Sequence, residues 1–251
     1  MIAILGALRE EVSPLRKRMD VQKMFSEAAC TMWQGTLRGQ DIILAQTGMG
    51  KQRAQAATRL VLERYPITTL ISFGFAGALV EQLQAGDLVL YSAVHCAEAD
   101  ANPQASGPPS YTSSDDVLTR ARRALEDAAV DFNCEPGVSV HQVAVSPEDR
   151  GRLAEAHHAQ VVDMESYWIA KIASEVQTPF IILRSMSDTK REKLLPFDQL
   201  MNEEGRVLWG AAAAYFILRP HHLAIIGRLI RNTRLAKRNL ASAMDALIGE
   251  L

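Results

Sequence analysis

The stretch VVDMESYWIAK, residues 161–171, contains an apolar run that ends in acid groups where a helical pattern begins. Val161 and Val162 suit a buried strand, and Ser166 opens a segment with the apolar spacing of a helix. Asp163 and Glu165 flank Met164 at the seam. The structural reading is a capped helix, with Glu165 or Ser166 as the cap. The functional reading is that a molecule carrying hydroxyl groups binds there. The stretch alone leaves both open.

The same seam recurs along the chain. IAILGAL (2–8) runs into REEVSPLRKRM, and DIILAQTGMG (41–50) runs into KQRAQAATRLVLERY. In the latter, Ala54, Ala57, Leu60, Val61 and Tyr65 are spaced for one helix face. ITTLISFGFAGAL (67–79) ends in glycines, VSVHQVAVS (138–146) precedes a polar segment, and PFIILRSMSD (179–188) ends in Ser187 and Asp188. Short strands between helices, several apolar on both faces, predict an α/β fold with a mostly parallel sheet covered on both sides. Residues 101–114, ANPQASGPPSYTSS, read as a loop, and one this long suggests a lid or a subunit contact.

Composition narrows the function classes. The chain has 251 residues, 48% of them apolar and 22% charged, which suits one soluble globular core. A net charge of −2 offers no general attraction to nucleic acid or acidic lipid. Cys30, Cys96 and Cys134 are far apart and in no CxxC pair, which predicts neither a disulfide framework nor a zinc site and fits a reducing cytoplasm. The segment after Met1 is too short and lacks the basic flank of a secretion signal. No uninterrupted apolar run reaches the length of a membrane span.

In an open α/β sheet, ligands sit beyond the carboxyl ends of the strands. The first strand delivers Glu10 and Glu11 there, the second TGMGK, the third GFAGA, and two later ones Asp163–Met164–Glu165 and Ser187–Asp188. Each has a plain alternative. Glu10 and Glu11 suit a helix start, and Asp188 beside Lys190 and Arg191 suits a solvated surface turn. Their recurrence at one edge favours a shared cleft. TGMGK lacks the glycine at Ala45 and the hydroxyl at Gln52 that a Walker loop requires, yet it retains the geometry of a modest anion site. His95, His141, His157, His158, His221 and His222 form no HExxH pattern, and no metal is expected. There is no GxSxG elbow.

The tail is different. After Pro220, apolar residues recur at Leu223, Ile226, Ile230, Leu240, Met244, Leu247 and Leu251, with Arg228, Arg231, Arg234, Lys237 and Arg238 between them. This predicts one or two amphipathic helices, docked on the domain or a second subunit, or resting on an anionic membrane surface. Residues 1–220 are expected to form the main domain and 221–251 a basic amphipathic helical extension.

The ordered set GALREEV, TGMGK, FGFAGAL, VVDMES, SMSD resembles the purine and uridine phosphorylase superfamily, which includes methylthioadenosine/S-adenosylhomocysteine nucleosidase. Within it, VDMES followed by Asp188, LLPF and the Arg/Leu-rich tail is most similar to the hopanoid-associated phosphorylases, linked to removal of adenine from adenosylhopane. The resemblance implies a three-layer α/β sandwich around a central mixed, mostly parallel twisted sheet. It implies cleavage of the N-glycosidic bond of a purine nucleoside, with adenosylhopane or another 5′-apolar adenosine as the leading substrate. The alternatives are a methylthioadenosine/S-adenosylhomocysteine nucleosidase, a phosphate-dependent phosphorylase, or an inactive nucleoside-binding protein.

By resemblance, Glu165 accepts hydrogen bonds from ribose hydroxyls and Met164 packs on the sugar, with Asp163, Phe75, Gly74 and Gly50 completing the substrate site. Asp188 serves as the acid toward the purine, oriented by Ser187, and Glu11 activates the attacking water. No cofactor is implied, with phosphate as an optional co-substrate. The expected partners are the nucleoside itself and further copies in a homo-oligomer, and the expected location is the cytoplasm or the inner face of the membrane.

Two departures bear on the reaction. The nucleosidases carry GSAGG where this chain has GFAGA, so Phe75 makes that wall apolar and bulky. Phosphate-dependent relatives place an arginine before this turn, and LISFGF has none, which favours water over phosphate unless Lys51, Arg53 or Arg184 substitutes. The segment before VVDM also lacks a recognisable phenylalanine-bearing purine clamp.

Overall fold

Alternation along the first strand sets the layers. In β1 (Ile2–Gly6), Ala3 and Leu5 enter one buried apolar cluster, while Ile2 and Ile4 enter a second on the opposite face, as the two-residue period of a strand requires. The parallel neighbours β4 (Gln40–Gln46) and β5 (Thr69–Ala78) repeat the division. Ile43 and Leu70 join the first cluster, and Ile42, Leu44 and Ile71 the second. A sheet apolar on both faces must be covered on both. Helices α2 (Lys51–Arg64) and α5 (Ser166–Glu175) cover the first face through Ala54, Ala57, Val61, Ile169 and Ala173. Helices α1 (Arg9–Arg18) and α3 (Asp115–Asp127), with the C-terminal helix, cover the second through Val12, Leu15, Val117, Ala121 and Leu247.

This computed structural model describes residues 1–27, 30–97, 110–144, 146–194 and 223–251. Residues 101–109 of the proline-rich stretch, most of LLPF, and His221 and His222 lie outside the described residues.

The sheet is mixed. Antiparallel β2 (Asp20–Glu27) and β3 (Cys30–Leu37) extend it beyond β4. On the other side, β5 pairs with β10 (Phe180–Asp188) in parallel, and through Gly77 and Ala78 with antiparallel β9 (Val161–Asp163). β9 lies beside β8 (Asn133–Ser139), β8 beside β6 (Leu88–Cys96), and β6 runs antiparallel to β10. The circuit β5–β10–β6–β8–β9 therefore closes, so this half of the sheet curls into a small barrel instead of staying open. Two strand expectations change as well. The strand read at 138–146 is instead Asn133–Ser139, and Ser110–Thr112 of the expected loop forms β7 beside β6.

The tail is one helix, α4 (Pro147–His157) having closed the set before α5, so it is α6 (Leu223–Glu250). Leu240, Ala243, Met244, Leu247 and Ile248 are each at most 1% exposed, and the second half of α6 is a wall of the core. Its first half differs: Arg231, Arg234 and Arg238 are exposed, as are Ile230 and Leu235.

Candidate active site

Two glycines of β5 leave room for two carboxylates. A methyl group at Gly74 would lie 2.6 Å from Glu11 Oε1, and one at Gly77 would lie 2.9 Å from Asp188 Oδ2. Both are shorter than any side chain tolerates, so GFAGA is glycine-bearing because acids face it. The two positions are three residues apart along the strand, about 10 Å of chain. One carboxylate therefore lies toward each end of this short stretch.

Glu11 sits in the first turn of α1. Its Oε2 accepts the Leu8 N–H at 2.8 Å and its Oε1 accepts the Phe75 N–H at 2.7 Å. One side chain thus bonds the main chain at the start of α1 and reaches across to β5. Burial pushes its carboxyl above the usual range, against the pull of these N–H groups and Arg184. Glu10 is exposed and takes no part.

Glu165 opens α5 without capping it by its side chain. The cap is Asp163, whose Oδ1 accepts from the N–H groups of Glu165 and Ser166 at 3.1 and 3.0 Å. That settles the structural half of the seam, and Glu165 is free for another task. Its Oε1 accepts the Gly50 N–H at 2.7 Å. Gly50 has φ +86° at the start of α2, a left-handed conformation natural only to glycine. The acceptor met by the TGMG turn is thus the protein's own Glu165 carboxyl. Burial, followed by the nearby Asp163 charge, raises the Glu165 carboxyl to about 8.

Asp163 is spent inside the protein. Oδ2 pairs with Arg184 Nε at 3.1 Å and accepts from Tyr91 Oη at 3.1 Å and from Ser166 Oγ, while Oδ1 accepts from Ser139 Oγ at 2.6 Å. Both oxygens are occupied by protein groups, unlike the substrate contact expected of Asp163. Burial opposes its charge, but Arg184 and the serine hydroxyls outweigh it and hold the carboxyl below the usual range. Arg184 is equally committed: its Nη2 donates to Ser72 Oγ and Ser166 Oγ at 2.9 and 2.7 Å. Glu11, Glu165 and Arg184 line one small pocket with Phe73, Gly74 and Phe75. Met164 is partly exposed and packs against a third apolar cluster of Leu79, Val138 and Val162.

Asp188 ends β10. Ser187 Oγ donates to its Oδ1 at 2.7 Å, and Arg150 Nη2 lies 2.5 Å from its Oδ2. The surface ion pair expected here forms elsewhere, between Arg191 and Glu81. Asp188 instead meets a guanidinium that is 1% exposed. Arg150 lies in a polar segment, PEDRGR, with nothing local to mark it as buried. Tyr91, Ser139 and Arg150 are the site's supporting residues that the sequence reading missed.

The phosphorylase superfamily model matches residues 1–212. A 5′-methylthioadenosine/S-adenosylhomocysteine nucleosidase of Staphylococcus epidermidis is 28% identical over 214 residues, covering 81% of this chain and 93% of that protein. Among solved structures, the nucleosidase of that name from Neisseria meningitidis, bound to methylthio-immucillin-A, superposes with a TM-score of 0.80 at 22% identity, covering 100% of this chain and 99% of that one. Futalosine hydrolase of Helicobacter pylori gives a TM-score of 0.80 at 19% identity, covering 100% and 97%. These comparisons reach the superfamily and do not reach the hopanoid-associated group.

Proposed function

The chain belongs to the phosphorylase superfamily, and from that premise we propose that it hydrolyses the N-glycosidic bond of a purine nucleoside. The observation that carries this is the charge balance of the small pocket. Glu11 and Glu165 face it, and the arginine beside them, Arg184, is already bound to Asp163, Ser72 and Ser166. A pocket lined by two carboxyl groups, whose lining arginine is already bonded within the protein, offers acceptors to sugar hydroxyls and a water molecule and no uncommitted cation among its described lining residues to a phosphate dianion.

In this reading Glu165 accepts from ribose hydroxyls, with charge-assisted bonds once it is ionised. Glu11, held from two sides by backbone N–H groups, takes the proton of the water that attacks C1′. The C1′–N bond breaks with its electron pair going to the purine, which receives a proton from Asp188. Ser187 orients that carboxyl, Met164 lies against the sugar, and Phe75 bounds the pocket. The two carboxylates end each turnover with exchanged protonation and reset through solvent. The chemistry asks for no cofactor.

The relatives named above favour a small 5′-thio nucleoside, such as methylthioadenosine or S-adenosylhomocysteine, over the larger lipid substrate. The test is release of base from methylthioadenosine, S-adenosylhomocysteine, adenosine and a 5′-alkyl adenosine, with and without phosphate. Release of base together with the free 5′-substituted ribose (ribose itself from adenosine) at a phosphate-independent rate is expected. The corresponding sugar 1-phosphate, formed only with phosphate, would overturn the hydrolytic reading.

A second reading keeps a large apolar 5′ group and a contact with an anionic membrane. It is favoured by Phe75 and by exposed Ile230 and Leu235 beside Arg231 and Arg234 on α6. Truncation at 220 would strip the core, so vesicle flotation of Arg231→Glu/Arg234→Glu is the appropriate comparison. Equal flotation of this variant and the parent protein would remove the membrane contact. A homo-oligomer is part of the same proposal, checked by light scattering.

A further inference from the structure

Arg150 stands outside the set of acids, yet it is the group on which the last of them rests. It reaches from α4 to three main-chain carbonyls on separate segments. Nε donates to Ala144 O at 3.2 Å, before the helix, and Nη1 donates to Ala78 O at 3.3 Å, at the end of β5. Nη1 also donates to Thr189 O at 2.8 Å, just past β10. The remaining nitrogen, Nη2, faces Asp188 Oδ2 at 2.5 Å. A guanidinium suits this position because its planar fork of donors is fixed, and a lysine could not bond three spread carbonyls and still face the carboxylate as an ion pair.

We propose that Arg150 is a positioning residue for base departure, fixing Asp188 through Oδ2 so that Oδ1 is the oxygen that carries and delivers the proton. The inference rests on the nucleosidase reading. A proton on Oδ2 would point into the guanidinium, where both groups would be donors. Oδ1 has no such conflict. The Ser187 hydroxyl beside it has a second acceptor, the Ala76 carbonyl at 3.2 Å, besides Oδ1 itself at 2.7 Å. When Oδ1 is protonated, Ser187 turns its hydrogen to Ala76 and its oxygen remains near the acid.

The step then balances. The Oδ1 proton passes to a purine ring nitrogen while the C1′–N bond breaks and its electron pair moves to the base. Water adds to C1′ and gives its proton to Glu11. The negative charge left on Asp188 develops against Arg150. That attraction grows only as the reaction proceeds, so it lowers the barrier and adds little to substrate affinity.

The test is a four-protein cycle of the parent, Arg150→Met, Asp188→Asn and the double variant, with methylthioadenosine as probe and thermal melts as the folding control. Arg150→Met is expected to lower kcat by about 100-fold with KM changed by less than about 3-fold, and to have almost no further effect in the Asp188→Asn background. Arg150→Lys, which keeps the charge without the fork, should fall between. Equal losses in both backgrounds, or a loss confined to KM, would overturn the proposal by showing that Arg150 acts only as a structural staple. If Arg150→Met does not fold, the Arg150→Lys cycle decides by the same criterion. A parent protein inactive on every nucleoside would instead defeat the nucleosidase reading and this inference with it.

Discussion

The Gly50 N–H lies 2.7 Å from Glu165 Oε1, joining the glycine turn before α2 to the residue immediately before α5. This contact spans 115 positions of the chain and points the carboxylate into the pocket that Glu11 also lines. It gives one N–H of a turn that resembles a phosphate loop a carboxyl acceptor within the protein.

Glu165 predicts a pH dependence of stability. Its folded carboxyl titrates near 8, above the usual value of 4.5, so the folded state binds more protons than the unfolded chain between those limits. Stability should therefore fall as pH rises from about 4.5 to about 8. Burial raises Glu11 in the same direction. Glu165→Gln should flatten this slope and gain on the order of a few kcal/mol over the parent at pH 8.5, with little difference at pH 4.5. Urea denaturation at the two pH values measures it, and an unchanged slope in the variant would refute the assignment.

Gly74→Ala places a methyl group 2.6 Å from Glu11 Oε1. The displaced carboxylate would lose its aim at the pocket. Base release should drop at least about 100-fold, while overpacking destabilises the fold by about 1–3 kcal/mol. Circular dichroism melts and turnover, measured together, separate the two effects. Near-parent turnover would show that Glu11 is not the group near the reacting water.

Asp163→Asn removes the partner of a buried arginine and weakens the cap of α5. Arg184 would keep its serine contacts but lose its counter-charge. Breaking a buried pair from one side costs about 3–5 kcal/mol. A denaturant midpoint close to that of the parent would mean that solvent reaches Arg184 and replaces the lost charge.

Leu247→Ala and Ile230→Ala test where α6 joins the core. Leu247 is fully buried, whereas Ile230 is 46% exposed. The first should cost about 2–5 kcal/mol, and the second should stay within about 0.5 kcal/mol. Similar small losses in both would make α6 a detachable extension.

Legibility followed locality. The glycines of GFAGA and the acids at strand ends are visible in the sequence, and the structure brings Glu11 and Glu165 to one pocket. Asp163 and Glu165 were equally visible, but their division of labour was not. Both are acids beside the same helix start, and only the position of Arg184, Tyr91 and Ser139 makes one a cap and leaves the other for the pocket. Strand β2 was missed because it is largely exposed and polar, so its pairing with β3 leaves no apolar period to read.

The sequence alone determined the α/β alternation, the two-faced apolar strands and the acidic residues at their ends, since a strand's period of two, a helix's of 3.6 and the residue type at a seam are local properties. The tertiary structure decided the closure of the sheet through β10, the docking of α6, and the partners of each carboxylate. Arg150 finds Asp188, Gly50 finds Glu165 and Gly74 makes room for Glu11. Such pairings join residues distant in the chain, and a buried charge is fixed by whichever opposite charge or N–H the fold carries to it, which no local pattern records.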